Sequence, residues 1–437
     1  MDSNQDARKN VFVLALTDQQ RRELETLHRA GSCAFHGLLS IEDQTDAHEL
    51  NFSRLLEAAR KELSSFDEHV DAIISHWDFP TSILAPILSA DYGIPSPRLR
   101  SLLTCEHKYW SRLEQTQAVP ECVPPFDLFD PFDAEALSAI EIPYPFWVKP
   151  VKAHSSSLGF RVDDADGFNA AAQQICSSIN EMGEAFNEAL ALVDVPDEVG
   201  ASSGTMCVAE GLVSGVQCAA EGSVFEGTVR IHGVLDMPRD DSGTSIARLD
   251  YPASIPDHVQ ERVRRFTTTF LESIGFDNGC FNSEFMWDPQ SDDLRMIEVN
   301  TRISQSHSEL FIKVDGVSNH KVALDVALGC QPSMPSGEGP DAVAAQCKVF
   351  HDQEAIVTRV PTRSEISALE KKFDGLLYTP KVAVGDVLSA LSSQDSYRYA
   401  IAEFYIGADS HQRLDELHRE IANELVFEFD TPPEAKG

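Results

Sequence analysis

The chain has 437 residues, 42% of them apolar and 24% charged, and its 70 acidic and 35 basic side chains give a formal net charge of −35. A surface this acidic repels phosphate backbones and anionic lipids, which excludes nucleic acid and membrane surfaces as expected partners. The nine cysteines include no Cys-x-x-Cys pair, and no apolar run approaches the ~18 residues of a membrane span. We therefore expect reduced thiols in a cytoplasmic protein.

Apolar runs alternate with helical stretches over about the first 100 residues. The runs at 10–16 and 70–75 are typical of buried parallel strands, and helices are predicted around residues 19–29, 56–64 and 81–90. This alternation favours an open α/β sheet. No Gly-rich fingerprint follows the first run, so a dinucleotide site is not expected there.

Strand hairpins and longer loops replace this alternation beyond about residue 143, and Pro, Gly and Ser cluster at residues 331–341. Such a cluster marks a linker or a domain boundary. We therefore predict an α/β chain in three units: an N-terminal open α/β domain (1–115), a central α+β domain (116–330) and a C-terminal α+β subdomain (331–437).

A hairpin is predicted where two strand-like runs flank the loop at 289–293. If Asp288 pairs with Leu294, Glu284 lies directly opposite Glu298. The other face of the hairpin is apolar and can be buried; its side chains are Phe285, Trp287, Ile297 and Val299.

The polar face of this hairpin places Glu284, Glu298 and Asn300 together, with Asn282 opposite Asn300. Two like charges directly opposite each other destabilise a sheet, so something should compensate them. Hard divalent cations bind carboxylate and amide oxygens. A metal site and a solvated polar face explain the spacing equally well. Arg302 continues the strand and could reach a metal-bound phosphate.

Other polar residues become informative when they are taken together. Lys149 lies in an apolar strand and needs an anionic partner if it is buried, and the small residues of 153–159 can hold phosphate through their N–H groups. Glu210 and Val213 belong to a linker that suits an adenine edge or is an ordinary turn. Lys108 lies on a predicted helix, where a lone lysine is usually solvated.

The order of these parts resembles the ATP-grasp superfamily over roughly residues 10–430. Its most specific part is the Glu-Val-Asn-Thr-Arg-Ile segment at 298–303. The resemblance implies an α+β grasp fold at 116–330, preceded by the N-terminal α/β domain. It also implies ATP and Mg²⁺ as cofactors, with Mn²⁺ as a substitute ion.

The resemblance implies roles for the nucleotide-binding residues. Lys108 and Lys149 would hold ATP phosphates, and the loop that contains Ser157 and Gly159 would close over them. Glu210 would contact the adenine amino group and the Val213 backbone the ring. One residue departs from the pattern: where relatives often place a ribose-binding carboxylate, this chain has Gln217.

The resemblance also implies the reaction. Glu284, Glu298 and Asn300 would ligate two Mg²⁺ ions, with Arg302 and Lys149 as catalytic residues. Members of the superfamily generally activate a carboxylate as an acyl phosphate, which an amine then attacks. We therefore expect an ADP-forming carboxylate–amine ligase that makes an amide or peptide bond from small-molecule acids and amines. A homodimer is the default assembly in the superfamily.

The substrates are not named by the sequence, and two alternatives stay open. Candidate substrate contacts are Arg230, His232, Ser306 and His307. A biotin-carboxylase-like enzyme is disfavoured because its phosphate loop is a run of glycines and its catalytic glutamate precedes a histidine, where this chain has Ser306. The second alternative is a catalytically silent nucleotide-binding module on the same fold.

Overall fold

The helices and strands are those of a computed structural model that describes residues 8–27, 30–42, 50–153, 158–200, 203–240, 243, 245–391 and 398–431. The α-helices are α1 (Asp18–Thr26), α2 (Phe52–Ser64), α3 (Thr81–Asp91), α4 (Leu99–Glu106), α5 (Lys108–Ala118), α6 (Ala165–Cys176), α7 (Ile179–Leu190), α8 (Asp257–Ser273), α9 (Ser308–Asp315), α10 (His320–Ala327), α11 (Arg363–Lys372) and α12 (His411–Glu424). The strands are β1 (Lys9–Leu14), β2 (Cys33–Leu38), β3 (Ala72–Ile74), β4 (Phe126–Phe129), β5 (Phe146–Pro150), β6 (Phe160–Val162), β7 (Cys207–Gly211), β8 (Val216–Phe225), β9 (Thr228–Asp236), β10 (Arg248–Tyr251), β11 (Gly279–Trp287), β12 (Leu294–Asn300), β13 (Val343–His351), β14 (Ile356–Arg359), β15 (Leu377–Pro380), β16 (Tyr399–Ala408) and β17 (Glu428–Asp430).

The N-terminal region forms a parallel sheet of three strands in the order β2-β1-β3. Five of the six residues of β1 are buried, as its apolar sequence predicts. The open α/β sheet and its three helices, α1 to α3, are thus confirmed. Strand β2 was not predicted, because its sequence Cys-Ala-Phe-His-Gly-Leu leaves the middle of the strand only partly buried.

An antiparallel sheet of eight strands carries the predicted hairpin at one end. Its order is β12-β11-β8-β9-β10-β13-β16-β15, and a separate sheet of four strands has the order β4-β7-β5-β6. Together with the helices, these sheets confirm the predicted mixture of α/β and α+β architecture. None of the helices in the described residues is long and apolar enough to cross a membrane.

Contacts cross both predicted domain boundaries. Strands β10 and β13, from either side of residue 330, pair in one sheet. The largest apolar core cluster runs from Phe12 in β1 to Val299 in β12, so it includes side chains from both sides of residue 115. The boundaries at 115 and 330 therefore stay predictions, and the segments that they separate share a sheet and a core.

The predicted register of the β11–β12 hairpin is confirmed at the end that contains Glu284 and Asn300, and it is wrong next to the turn. Asn282 lies opposite Asn300 and Glu284 opposite Glu298. Trp287, and not Asp288, pairs with Leu294, because Ile297 is the extra residue of a β-bulge. Opposite Phe285 the bulge places Met296, which is fully buried there in place of the predicted Ile297.

Candidate active site

The polar face of the hairpin concentrates two carboxylates and their amide neighbours. Asn300 Nδ2 donates to one oxygen of Glu284 at 3.3 Å, and Gln217 Nε2 donates to the other at 3.0 Å. Burial and the opposing Glu298 raise the pKa of Glu284 to about 7. This rise reflects a negative charge that the protein alone does not fully neutralise. A bound cation would neutralise it.

The donor set fits Mg²⁺. In the described residues, no three His, Cys, Asp or Glu side chains cluster as a metal site. A cation on this face would therefore be held by Glu284, Glu298, the Asn300 amide oxygen and ligands from outside the protein. Mg²⁺ is usually bound in this way, through one or two carboxylates together with substrate phosphates and water.

Lys108 approaches this face from the first turn of α5. Its Nζ lies 4.0 Å from Glu298 Oε2, and its side chain is only 16% exposed. Burial lowers the pKa of Lys108 to about 8. Lys108 is therefore not the freely solvated helix lysine that its local sequence suggests.

The residue before Lys108 fixes the start of this helix. His107 Nδ1 accepts the backbone N–H of Trp110 at 3.2 Å, and its Nε2 lies 2.9 Å from Ser203 Oγ. The ring is completely buried, and burial lowers the pKa of His107 to about 3. His107 thus caps α5, the helix that begins at Lys108, as a neutral imidazole.

Acid pH is expected to destabilise the protein through His107. Because its folded-state pKa is about 3 and its unfolded-state pKa is near 6.5, this contribution is complete above pH ~6.5 and declines as the pH falls toward 3. The slope is about 1.4 kcal/mol of unfolding free energy per pH unit. Thermal midpoints between about pH 7.5 and 5.5 should fall less steeply in His107→Asn, whose amide can still cap the helix. Equal slopes in the two proteins would contradict this assignment.

A second cluster joins Lys149 to Glu210. Lys149 Nζ lies 2.8 Å from Glu210 Oε2, and Arg112 Nε donates to Glu210 Oε1 at 2.8 Å. Although burial opposes ionisation, Arg112 and Lys149 lower the pKa of Glu210 to about 2. The predicted anionic partner of Lys149 is thus a carboxylate of the chain itself, and Lys149 still acts electrostatically on Lys108.

Arg112, which was not predicted as a site residue, joins the two clusters. Its guanidinium also donates to Gln115 Oε1 and to the backbone oxygens of Met296 and Ile297, at 2.6, 2.8 and 2.9 Å. The last two acceptors lie at the bulge of β12. Arg112 therefore connects Glu210 with β12, the strand that contains Glu298. Nothing in its local sequence distinguishes it from a solvated helix arginine.

Arg302 is held by Asp78, a carboxylate that was not predicted as a site residue. Its Nε and Nη2 donate to the two oxygens of Asp78 at 2.8 and 3.0 Å. Although burial opposes the charge, Asp78 raises the pKa of Arg302. Asp78 follows β3 in the N-terminal region, 224 residues from Arg302 in the chain, so no spacing argument could link the two.

The segment after Arg302 is anchored on a buried glutamate. Glu221 accepts from the backbone N–H of Ser304 at 3.1 Å and from Asn319 Nδ2 at 2.6 Å, and His307 Nδ1 lies 2.6 Å from its carboxylate. His307 is only 2% exposed. Ser306 Oγ lies 3.1 Å from Ser304 Oγ. The predicted substrate contacts Ser306 and His307 thus belong to a loop fixed beside Arg302.

The other two predicted substrate contacts lie on β9. His232 is the extra residue of a bulge opposite Glu221, which interrupts the simple alternation that would place it and Arg230 on one face. Its Nε2 lies 3.2 Å from Ser223 Oγ, and burial lowers the pKa of His232 to about 4. Arg230 is exposed. Their role in substrate binding stays a prediction.

The remaining predicted nucleotide contacts lie in two loops and at the start of β8. Val213 is half-buried in the link between β7 and β8. Gly159 packs on Trp147, since a Cβ added at Gly159 would lie 2.7 Å from that ring. Ser157 lies outside the described residues. Gln217 bonds to Glu284 and accepts from Arg239 Nη2 at 2.7 Å, so it also contacts the metal face.

Comparisons with known proteins match part of the chain in sequence. The family model "Carbamoyl-phosphate synthase L chain, ATP binding domain" matches residues 249–333. The carbamoyl phosphate synthase large chain of Synechocystis sp. is 28% identical over 173 residues, 38% of this chain. The match covers 15% of that relative's length, so the chain corresponds to a small part of it.

Solved structures match along almost the whole chain. The L-amino acid ligase from Bacillus licheniformis has a TM-score of 0.73 at 15% identity, covering 97% of this chain and 100% of that one. The biotin carboxylase from Campylobacter jejuni, solved as a β,γ-ATP complex, has a TM-score of 0.65 at 17% identity, covering 98% and 93%. At these identities the likeness concerns the fold.

Proposed function

Because this chain has the ATP-grasp fold, we propose that it is an ATP-dependent ligase that joins a carboxylic acid to an amine. The products are an amide or peptide, ADP and phosphate. The carboxylate first attacks the γ-phosphorus of ATP to give an acyl phosphate and ADP. The amine nitrogen then attacks the acyl carbon, the bond from that carbon to the phosphate oxygen breaks, and the nitrogen passes a proton to water.

One observation carries this proposal. The acidic face of Glu284, Glu298 and Asn300 adjoins the cations Lys108 and Arg302. Phosphoryl transfer depends on such neighbours for two reasons. The negative charge on the phosphoryl oxygens must be neutralised, and the phosphoryl group must be held in line with the attacking group. Positioning and electrostatics supply most of the rate enhancement, so no serine or cysteine nucleophile is required.

Different residues of the chain would bind the nucleotide, the metal and the transferred group. Glu210, fixed by Arg112, would receive the adenine amino group, and Lys149 and Lys108 would bind phosphates. Mg²⁺ bound by Glu284, Glu298 and Asn300 would supply further neutralisation of the phosphate charge. Arg302, whose Nε and Nη2 donate to Asp78, would contact oxygens of the transferred group through its remaining N–H groups. Glu221 would keep the loop after Arg302 in place.

The test is a screen for ADP release by the full chain with Mg-ATP, in which carboxylic acids and amino acids are paired. We expect release only when a cognate acid and amine are both present. ADP release that requires only biotin and bicarbonate would favour the carboxylase alternative. Nucleotide binding without turnover for any pair would favour the silent module. The cytoplasmic location and a homodimer stay predictions.

A further inference from the structure

Glu284 lies on the middle one of three neighbouring strands, β12-β11-β8. Its direct cross-strand partners are Glu298 on β12 and Ala219 on β8. Asn300 and Gln217 lie two residues from these partners, at the diagonal positions that long side chains can reach. Each donates to a different oxygen of Glu284, at 3.3 and 3.0 Å. The Glu284 carboxylate is therefore held by one amide from each neighbouring strand.

The orientation of the Gln217 amide is fixed from both sides. Arg239 Nη2 donates to Gln217 Oε1 at 2.7 Å, while Gln217 Nε2 donates to Glu284. A guanidinium group can only donate hydrogen bonds, and an ionised carboxylate can only accept them. The reversed amide would place an N–H group against Arg239 and an oxygen against Glu284, so it is excluded. Gln217 is only 5% exposed, so water competes little for these contacts.

An amide suits this position better than a charged side chain. A lysine or arginine would pair with Glu284 and compete with a bound cation for its charge. A carboxylate would add a third negative charge beside Glu284 and Glu298. The amide holds the Glu284 carboxylate and leaves its negative charge for the cation. Metal-ligating carboxylates are commonly oriented in this way by a hydrogen bond from a group that does not touch the metal.

We propose that Gln217 is a positioning residue that holds the Glu284 carboxylate in the orientation from which it would bind Mg²⁺, with Arg239 holding the Gln217 amide. The assignment rests on the metal site of the proposed function. The sequence predicts a nucleotide contact for Gln217 instead. The two roles differ in the affinity that a substitution would lower: the affinity for the metal ion in one case and the affinity for ATP in the other.

The test compares Gln217→Met with a matched control, Gln346→Met. Gln346 is also a buried glutamine of the eight-stranded sheet, 3% exposed, and its Nε2 donates to Glu403 Oε2 at 3.3 Å. Its strand β13 is separated from β11 by three others.

Mn²⁺ is the probe of the site, and its binding to the full chain is followed by electron paramagnetic resonance. The titrations are made at physiological ionic strength, which screens weak binding to the acidic surface. Glu298→Gln gives the level of Mn²⁺ binding outside the hairpin. The affinity for ATP is measured separately in EDTA.

Gln217→Met should weaken Mn²⁺ binding about 10- to 100-fold, as is usual when the hydrogen-bond partner of a metal ligand is lost. Its affinity for ATP in EDTA should equal that of wild type, and its turnover should recover to within a few-fold of wild type at high Mg²⁺. Arg239→Met should weaken Mn²⁺ binding less, by about three- to tenfold, because one hydrogen bond to the amide is lost. Arg239→Lys should stay close to wild type, because lysine also only donates. Gln346→Met should match wild type throughout.

An unchanged Mn²⁺ affinity in Gln217→Met would overturn the assignment. A fall in ATP affinity without a fall in Mn²⁺ affinity would also overturn it and would identify Gln217 as a nucleotide contact. An equal loss of Mn²⁺ binding in Gln346→Met would show that the effect comes from the sheet as a whole, against the assignment. If Gln217→Met fails to fold, the difference between Arg239→Met and Arg239→Lys decides in the same way.

Failure of the proposed function gives a different result. Mn²⁺ binding would then still depend on Gln217, while no pair of acid and amine would release ADP. Wild-type protein that binds no more Mn²⁺ than Glu298→Gln would overturn the metal site and the assignment together.

Discussion

Glu298→Gln is expected to abolish ADP formation, with a loss of about a thousandfold or more, while the protein stays folded. Glu298 faces Glu284 across the hairpin, so the substitution removes one of the two carboxylates that would hold Mg²⁺ and hence much of the neutralisation of the phosphoryl charge. It also removes a repulsion between like charges. The thermal midpoint without Mg²⁺ should therefore hold or rise, and its increase on adding Mg-ATP should shrink.

The matched control is Glu261→Gln, because Glu261 is an exposed glutamate on α8. That variant should keep wild-type turnover and the wild-type thermal midpoint. A large drop in the midpoint of Glu298→Gln without Mg²⁺ would mean that Glu298 is structural. The metal interpretation of the hairpin would then be wrong.

Arg302→Lys is expected to lower turnover about a thousandfold while the affinity for ATP changes only a few-fold. The planar guanidinium contacts two oxygens at once, as its bond to Asp78 illustrates, and an ammonium group cannot reproduce that geometry. The loss should fall on kcat, because the contact with the transferred group strengthens in the transition state. Initial rates measure the effect on turnover. ATP titrations of the protein without acid and amine measure the effect on ATP affinity.

Arg60→Lys is the control for this change, since Arg60 makes a comparable paired contact with Asp91 at the surface. It should leave both quantities unchanged. If turnover and ATP affinity fall in parallel for Arg302→Lys, Arg302 serves ground-state binding and its assigned role is wrong.

Local sequence patterns predicted those strands and helices whose formation depends mainly on residues close together in the chain. The alternation of side chains in a strand has a period of two, so the polar and apolar faces of the hairpin could be predicted from the sequence. The pairing assumed next to the loop was wrong by one residue, and Glu284 lies opposite Glu298 because the bulge at Ile297 restores that register. The buried run of β1 and the helices α1 to α3 were likewise visible in the apolar pattern. The bulge at Ile297 was not predicted, and its carbonyls accept from Arg112 in α5, a residue distant in the sequence.

The residues missed at the site are those whose role depends on distant parts of the chain. Arg112 and Asp78 resemble ordinary polar residues until the fold brings them to Glu210 and Arg302. The environment of Lys108 was missed for the same reason, since its burial comes from packing between segments. Sequence spacing predicted that the two carboxylates of the hairpin face each other, and tertiary contacts supply the groups around them.

Trapping of the intermediate tests the central claim most directly. The full chain is incubated with Mg-ATP, hydroxylamine and a panel of carboxylic acids that includes the proteinogenic amino acids, and hydroxamate, ADP and AMP are measured. We expect a hydroxamate from the cognate acid and an equal amount of ADP, because hydroxylamine would intercept an acyl phosphate. Formation of AMP in place of ADP, or no hydroxamate from any acid in the panel, would contradict the account.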